Sequence, residues 1–183
     1  MPLFAHVSQP ILIEDVKFFS GGKMAVVYIG SDHAGFALKA QLVQHLREAG
    51  HTVHDLGTDS PESCDYPIYA GRVCGRVAAD AEASRIGAGD VPPSWGILVC
   101  GTGIGMSMTA NHFPGIRAAL CACEFQARAT RMHNNANVLC IGERVTGPGL
   151  AMDMADIFLS TPFEGGRHLR RVNLIETVQQ QGL

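Results

Sequence analysis

The segment Gly96-Ile-Leu-Val-Cys100-Gly-Thr-Gly-Ile-Gly105 places a cysteine where an apolar, β-rich run gives way to a glycine-rich loop. A thiol in that position can act as a base or a nucleophile. Glycines 101, 103 and 105 let the main chain curl until successive N–H groups converge, and a helix expected from about Met106 adds its positive end. Such a nest holds an anion and lowers the pKa of a neighbouring thiol. An isolated cysteine at a strand end is more often simply buried before a tight turn. The three glycines and Thr102 distinguish this one.

Other residues able to do chemistry are scattered along the chain: Asp32-His33, Tyr66, Arg131-Met-His-Asn-Asn135, Arg144, and Gly165-Gly-Arg-His168 followed by Arg171. Arg167 and Arg171 stand four apart, so a helix presents both on one face, and arginine is the better bidentate clamp for phosphate. Arg170 lies about 100° round from Arg171 and falls off that face. Taken alone, the segment also reads as a solvated basic face, and His133 alone as a solvated helix-end histidine.

These positions meet only if the fold converges on them. From Met24 onward, short β-rich runs alternate with helical segments, the pattern of a parallel α/β sheet. Strands are expected at Ala25–Ile29, Thr52–Leu56, Gly96–Cys100, Ile116–Cys121 and Val138–Ile141. Leu38, Leu42 and Leu46 mark a helix that Gly50 stops. Pro67 opens another that runs to about Ala83. Further helices are expected from the glycine loop to about His112, over Glu124–Met132, from about Gly149 to Leu159, and from Arg167. The result is a three-layer α/β/α sandwich around a Rossmann-like, five-stranded parallel sheet, with ligands at the carboxyl ends of the strands. Asp32-His33, the Cys100 loop and the segment after Ile141 then share one rim. Residues 84–95, with two glycines and Pro92-Pro93, form a surface loop.

Composition narrows the function further. The chain has 183 residues, 46% hydrophobic and 17% charged, with a net charge of −3. That suits one globular domain and argues against a general nucleic-acid surface. No apolar run is long enough for a membrane helix, and residues 1–23 lack the form of a secretion signal, so the expected location is the cytoplasm. The six cysteines contain no C-x-x-C pair and several sit in apolar runs, which fits reduced core thiols. His51 and His54 have no cysteine pair nearby, so no metal site is expected. The glycine loop follows the third expected strand and has Met106 where a dinucleotide fingerprint needs its third glycine. No cofactor is expected.

Taken together, Gly30-Ser-Asp-His-Ala-Gly35, Asp65-Tyr-Pro67, Cys100–Gly105, Arg131–Asn135, Asn137-Val and Gly165–His168 resemble the type B ribose-5-phosphate isomerases. The motifs occur in the family's order over residues 24 to about 180. The resemblance implies a homodimer with active sites between subunits, interconverting ribose 5-phosphate and ribulose 5-phosphate without metal or cofactor. It leaves open whether dimers pair into tetramers.

An aldose–ketose isomerisation needs a base to carry a proton between carbons two and one, and donors to stabilise the enediolate. The resemblance makes Cys100 the base. One branch of the family uses a glutamate within the loop, where this chain has Ile104. Main-chain N–H groups from Gly101 through Thr102, Gly103 and Ile104 to Gly105 would hold the enediolate oxygens. His133 would open the sugar ring, with Asp32 and Thr102 close by. Asn134 would bind sugar hydroxyls or the enediolate, and Tyr66 would line the pocket. His33, Arg144, Arg167, His168 and Arg171 would form the phosphate clamp, some of them from the partner subunit. Leu169, Val172 and Ile175 form an apolar stripe expected to pack on that partner.

Two alternatives remain: an isomerase of allose or galactose 6-phosphate, and a non-catalytic sugar-phosphate-binding module. Galactose-6-phosphate isomerase subunits generally lack the Asp-His, His-Asn and Gly-Gly-Arg-His set on one chain. The departures from the family are the N-terminal extension 1–23, which the resemblance leaves outside the 24–183 isomerase domain, and a longer loop at 84–95.

Overall fold

The computed structural model describes residues 24–85 and 87–181. The expected extension 1–23 lies outside the described residues. Five strands form one all-parallel sheet: β1 (Val26–Ser31), β2 (Thr52–Asp55), β3 (Trp95–Cys100), β4 (Ala118–Leu120) and β5 (Val138–Gly142), in the order β2-β1-β3-β5-β4. The central strand β3 is buried at every residue. Its unbroken apolar run is what a strand covered on both faces requires.

Six helices complete the sandwich: α1 (Phe36–Glu48), α2 (Tyr66–Ala83), α3 (Ile104–Ala110), α4 (Glu124–Asn134), α5 (Pro148–Ser160) and α6 (Arg167–Gln181). One sheet face is covered by α1, α4 and α5 through Leu38, Leu42, Leu46, Ala127, Met154 and Phe158. The other is covered by α2 and α3 through Val73, Cys74, Val77 and Met106. The expected sandwich is therefore present, with two adjustments. Helix α3 starts at Ile104, two residues before Met106. Strand β4 is shorter than expected because the Asn137 side chain accepts the Arg117 N–H at 2.8 Å, leaving it unavailable to a ladder.

The chain moves outward from β1 to β2, then returns to place β3 on the other side of β1. The crevice where strand order reverses is where open α/β sheets bind ligands. Ser31 and Val99 are register partners there, as are Cys100 and Gly142. The carboxyl ends of β1, β3 and β5 thus reach one level, and the residues that follow them form a common rim.

The described residues of the expected 84–95 loop are mostly exposed up to Pro93, and Ser94 and Trp95 turn inward as β3 begins. The loop is pinned by the Asn135 side chain, which donates to Ala88 O at 2.7 Å. Helix α6 packs against α4, and Leu169 contacts Gly89 in the loop. Val172 is buried within the chain, so of the expected partner stripe only Ile175 is well exposed, beside Leu174 and Val178.

Candidate active site

The sequence-predicted residues fall into two groups. The first occupies the rim of β1, β3 and β5. Asp32 opens a single 3-10 turn over His33–Gly35; its carboxylate accepts the Ala34 N–H at 2.9 Å, and its own N–H donates to Val99 O at 3.3 Å. His33 is held from the far side, where Cys64 N–H donates to its Nδ1 at 3.2 Å.

Cys100 ends β3 and is 5% exposed, packed with the α2–α3 apolar core. Its sulfur turns back on its own loop: the Gly103 N–H donates to Sγ at 3.0 Å. Gly103 has φ +76, and a Cβ there would lie 2.5 Å from the Leu120 side chain. The curl that aims this N–H at the sulfur therefore depends on glycine twice, for its dihedral angle and for its missing side chain. Thr102 Oγ1 accepts the Ile104 N–H at 3.4 Å, and Ile104 itself is exposed.

The segment after β5 laces this loop in place. Glu143 N–H donates to Cys100 O at 2.8 Å and Arg144 N–H to Gly101 O at 3.1 Å. Gly142 backs directly on Thr102, whose main-chain atoms stand 2.6–2.7 Å from where a Cβ would be. The Arg144 guanidinium lies over Gly101, which the Ala34 methyl also approaches, and the Tyr66 ring covers Gly105. Asp32, Cys100–Gly105, Tyr66 and Arg144 thus gather around one short stretch of backbone, with His33 in the adjoining turn.

The second group sits where α4 meets the start of α6. The rings of His133 and His168 stack with centroids 4.5 Å apart and planes at 13°. Glu164 joins them, its Oε2 being 3.5 Å from His168 Nε2 and 3.9 Å from His133 Nε2. Arg167 Nε–H donates to His168 Nε2 at 3.3 Å. Desolvation holds the His168 pKa below the ordinary histidine value, helped by His133 and Arg167 and opposed by Glu164. Asn134 is exposed at the end of α4, and Arg171 is exposed one turn along α6 from Arg167. Among the described residues, no hydrogen bond or ion pair joins this group to the first.

Two residues that the structure builds into these groups escaped sequence analysis. Glu164 is one, although its position four residues before His168 was a visible signal. Glu143 is the other: its carboxylate accepts the Leu38 N–H at 2.9 Å, capping α1 while its own N–H holds the Cys100 carbonyl. Residue spacing also concealed that His133, Glu164 and His168 bring three possible ligand atoms within 4.8 Å of one another, a donor set able to hold a cation.

The remaining cysteines divide by environment. Burial pushes Cys74 and Cys121 up to about 12 and Cys140 well above the usual thiol range. Those three are inert core side chains. All six cysteines are unpaired.

The chain belongs to the ribose/galactose isomerase family, whose model matches residues 27–175. It is 44% identical over 158 residues to ribose-5-phosphate isomerase B of Escherichia coli, covering 86% of this chain and 99% of that protein. A putative sugar phosphate isomerase of Bacillus subtilis is 43% identical with the same coverage. Among solved structures, ribose-5-phosphate isomerase B of Clostridium thermocellum superposes with a TM-score of 0.76 at 40% identity, covering 86% of this chain and 99% of that one. The Thermotoga maritima enzyme gives 0.74 at 46% identity, covering 84% and 99%.

Proposed function

We propose that this protein interconverts ribose 5-phosphate and ribulose 5-phosphate, with residues 24–183 acting as one isomerase domain and Cys100 as the base. The observation that carries the reading is the Cys100 sulfur, held by the Gly103 N–H at the switch point beneath Arg144 and beside the Tyr66-covered loop. The thiolate takes the proton from carbon two of the open-chain aldose and returns it to carbon one, while a proton passes from the carbon-two oxygen to the carbon-one oxygen. Main-chain N–H groups of the Gly101–Gly105 loop stabilise the intervening enediolate, in the manner of an oxyanion hole.

His133 opens the sugar ring, with Asp32 and Thr102 assisting at the rim. Asn134 binds the sugar hydroxyls. The phosphate is held by His33, Arg144, Arg167, His168 and Arg171. No hydrogen bond or ion pair among the described residues joins the two groups, which supports a complete site that combines the rim of one subunit with the α4–α6 corner of another. A homodimer is the smallest assembly that does this. Exposed Ile104, Met108, Leu120 and Phe125 near the rim, and Leu174, Ile175 and Val178 on α6, supply apolar surface for such an interface. Six unpaired cysteines accord with a cytoplasmic location. No helix among the described residues is long and apolar enough to cross a membrane.

Incubation with ribose 5-phosphate in heavy water, followed by NMR, tests the reading. Loss of the carbon-two proton signal with formation of ribulose 5-phosphate is expected. Binding without exchange would leave only a sugar-phosphate-binding module. Faster exchange on allose or galactose 6-phosphate would move the assignment to a hexose substrate.

A further inference from the structure

Between α4, the end of α5 and the chain leading into β3 lies a cavity of about 250 Å³, whose walls include Asp90, Val91, Trp95, Arg131, Leu159 and Phe163. Arg131 is 2% exposed. Its guanidinium carbon stands 4.4 Å from the Trp95 ring centroid, and Nη1 donates to Asn135 Oδ1 at 2.7 Å and Ala136 O at 2.6 Å. The Nε–H is buried without an acceptor, and no carboxylate pairs with the guanidinium among the described residues. Burial, reinforced by Arg117, pulls its pKa down to about 10, so the cation persists at neutral pH. A buried charge whose only partners are carbonyl oxygens and ring faces is poorly compensated.

We propose that this cavity binds a small monocarboxylate, its carboxylate paired with Arg131 and its short apolar body lying against Leu159 and Phe163. The guanidinium presents planar donors suited to a carboxylate. The volume falls below that of pockets for drug-sized ligands, which confines the guest to a few carbons. Asp90, whose Oδ2 accepts the Gly87 N–H at 2.6 Å, puts a negative charge on the wall and selects against a dianion such as phosphate. The 84–95 loop, to which the isomerase resemblance assigns no role, supplies Asp90 and Val91. The site is separate from the proposed chemistry: Arg131 and His133 are two residues apart on α4, about 200° round the helix.

Trp95 is the sole tryptophan, so all tryptophan emission arises from a residue on the cavity wall. Titration with butyrate is expected to change the emission saturably, at concentrations at least about tenfold lower than any effect of the uncharged butyramide. Val91 is 70% exposed, and Val91→Glu at the rim is expected to weaken butyrate roughly three- to tenfold by charge repulsion without disturbing the fold. Arg131→Gln should abolish the response, but Arg131 also secures Asn135 and Ala136, so the rim variant carries the test if that protein does not fold. A response that does not saturate, equal binding of butyramide, indifference to Val91→Glu, or tighter binding of inorganic phosphate would each overturn the proposal.

Discussion

The rim of β1, β3 and β5 and the corner of α4 and α6 both gather polar residues but are built in opposite ways. At the rim the geometry belongs to the main chain: Gly103 N–H on the sulfur, Glu143 and Arg144 N–H groups on loop carbonyls, and Gly142 pressed on Thr102. At the corner it belongs to side chains, with two stacked imidazoles and two arginines carried by α4 and the start of α6, and one carboxylate from the segment just before α6. Main-chain groups cannot rotate away, so the rim is preorganised where a reacting atom needs accuracy within fractions of an ångström. Long side chains can follow a mobile substrate, and a surplus of positive charge suits a phosphate. Under the proposed function, proton transfer falls to the rim and ring opening by His133 to the corner, while the phosphate is shared between His33 and Arg144 of the one and Arg167, His168 and Arg171 of the other.

The most severe break should come at the rim. Cys100→Ser is expected to lower kcat by about 10²–10⁴-fold, the usual worth of a positioned base, because a serine hydroxyl is too weak an acid to ionise there. Substrate should still bind, since the phosphate clamp is intact. Steady-state kinetics with calorimetric binding checks both halves, and near-normal turnover would return the base to another group. Gly142→Ala tests the same region without touching a reactive atom. Its methyl would meet Thr102 main chain at 2.6–2.7 Å, and no rotamer change can relieve that contact. A loss of about 1–3 kcal/mol in stability is expected, with a fall in kcat as the loop shifts. Thermal melts alongside kinetics would show it; an unaffected kcat would mean that the loop does not need its exact curl.

At the corner, Arg171→Ala is expected to raise KM roughly tenfold with little change in kcat, because phosphate contacts are shared by ground and transition states. Arg171 is exposed and has no carboxylate partner among the described residues, so Tm should hold. A fall in kcat alone would place the residue nearer the chemistry than a clamp.

The same contrast governs what could be read without coordinates. The strands and helices announced themselves because Leu38, Leu42 and Leu46 repeat at helical spacing, and because β3 is apolar throughout. The Cys100 loop was legible for a related reason: a backbone-built site leaves its glycines close together in the sequence, here at every second position. The corner was legible only residue by residue. His133 and Glu164 meet through the packing of α6 on α4, and nothing in local spacing encodes that packing. Glu143 was missed because it works across the sheet, capping a helix that begins far away in the chain. Val172 was expected to face a partner, but the 84–95 loop and α4 cover that side of α6 and turn the residue inward.

The smallest expected effect is the corner's share of a pH dependence to which His51, its pKa also lowered by burial, contributes in the same direction. His168 has a pKa lowered first by desolvation and then by His133 and Arg167, so the folded protein binds its proton less readily than the unfolded chain does. The stabilisation is therefore present above the ordinary histidine value of about 6.5 and is lost as pH falls through the folded value. Melts from pH 7.5 down to 5.5 should show a modest decline in Tm that His168→Gln reduces, the part due to His51 remaining. Inorganic phosphate should oppose the decline, because an anion at Arg167 and Arg171 offsets the charge that protonation adds. The sulfur–amide contact at the rim involves no histidine, so Cys100→Ser should leave this pH profile unchanged. A profile that followed Cys100→Ser rather than His168→Gln would mean that the two regions titrate as one, and the division of labour between them would fail.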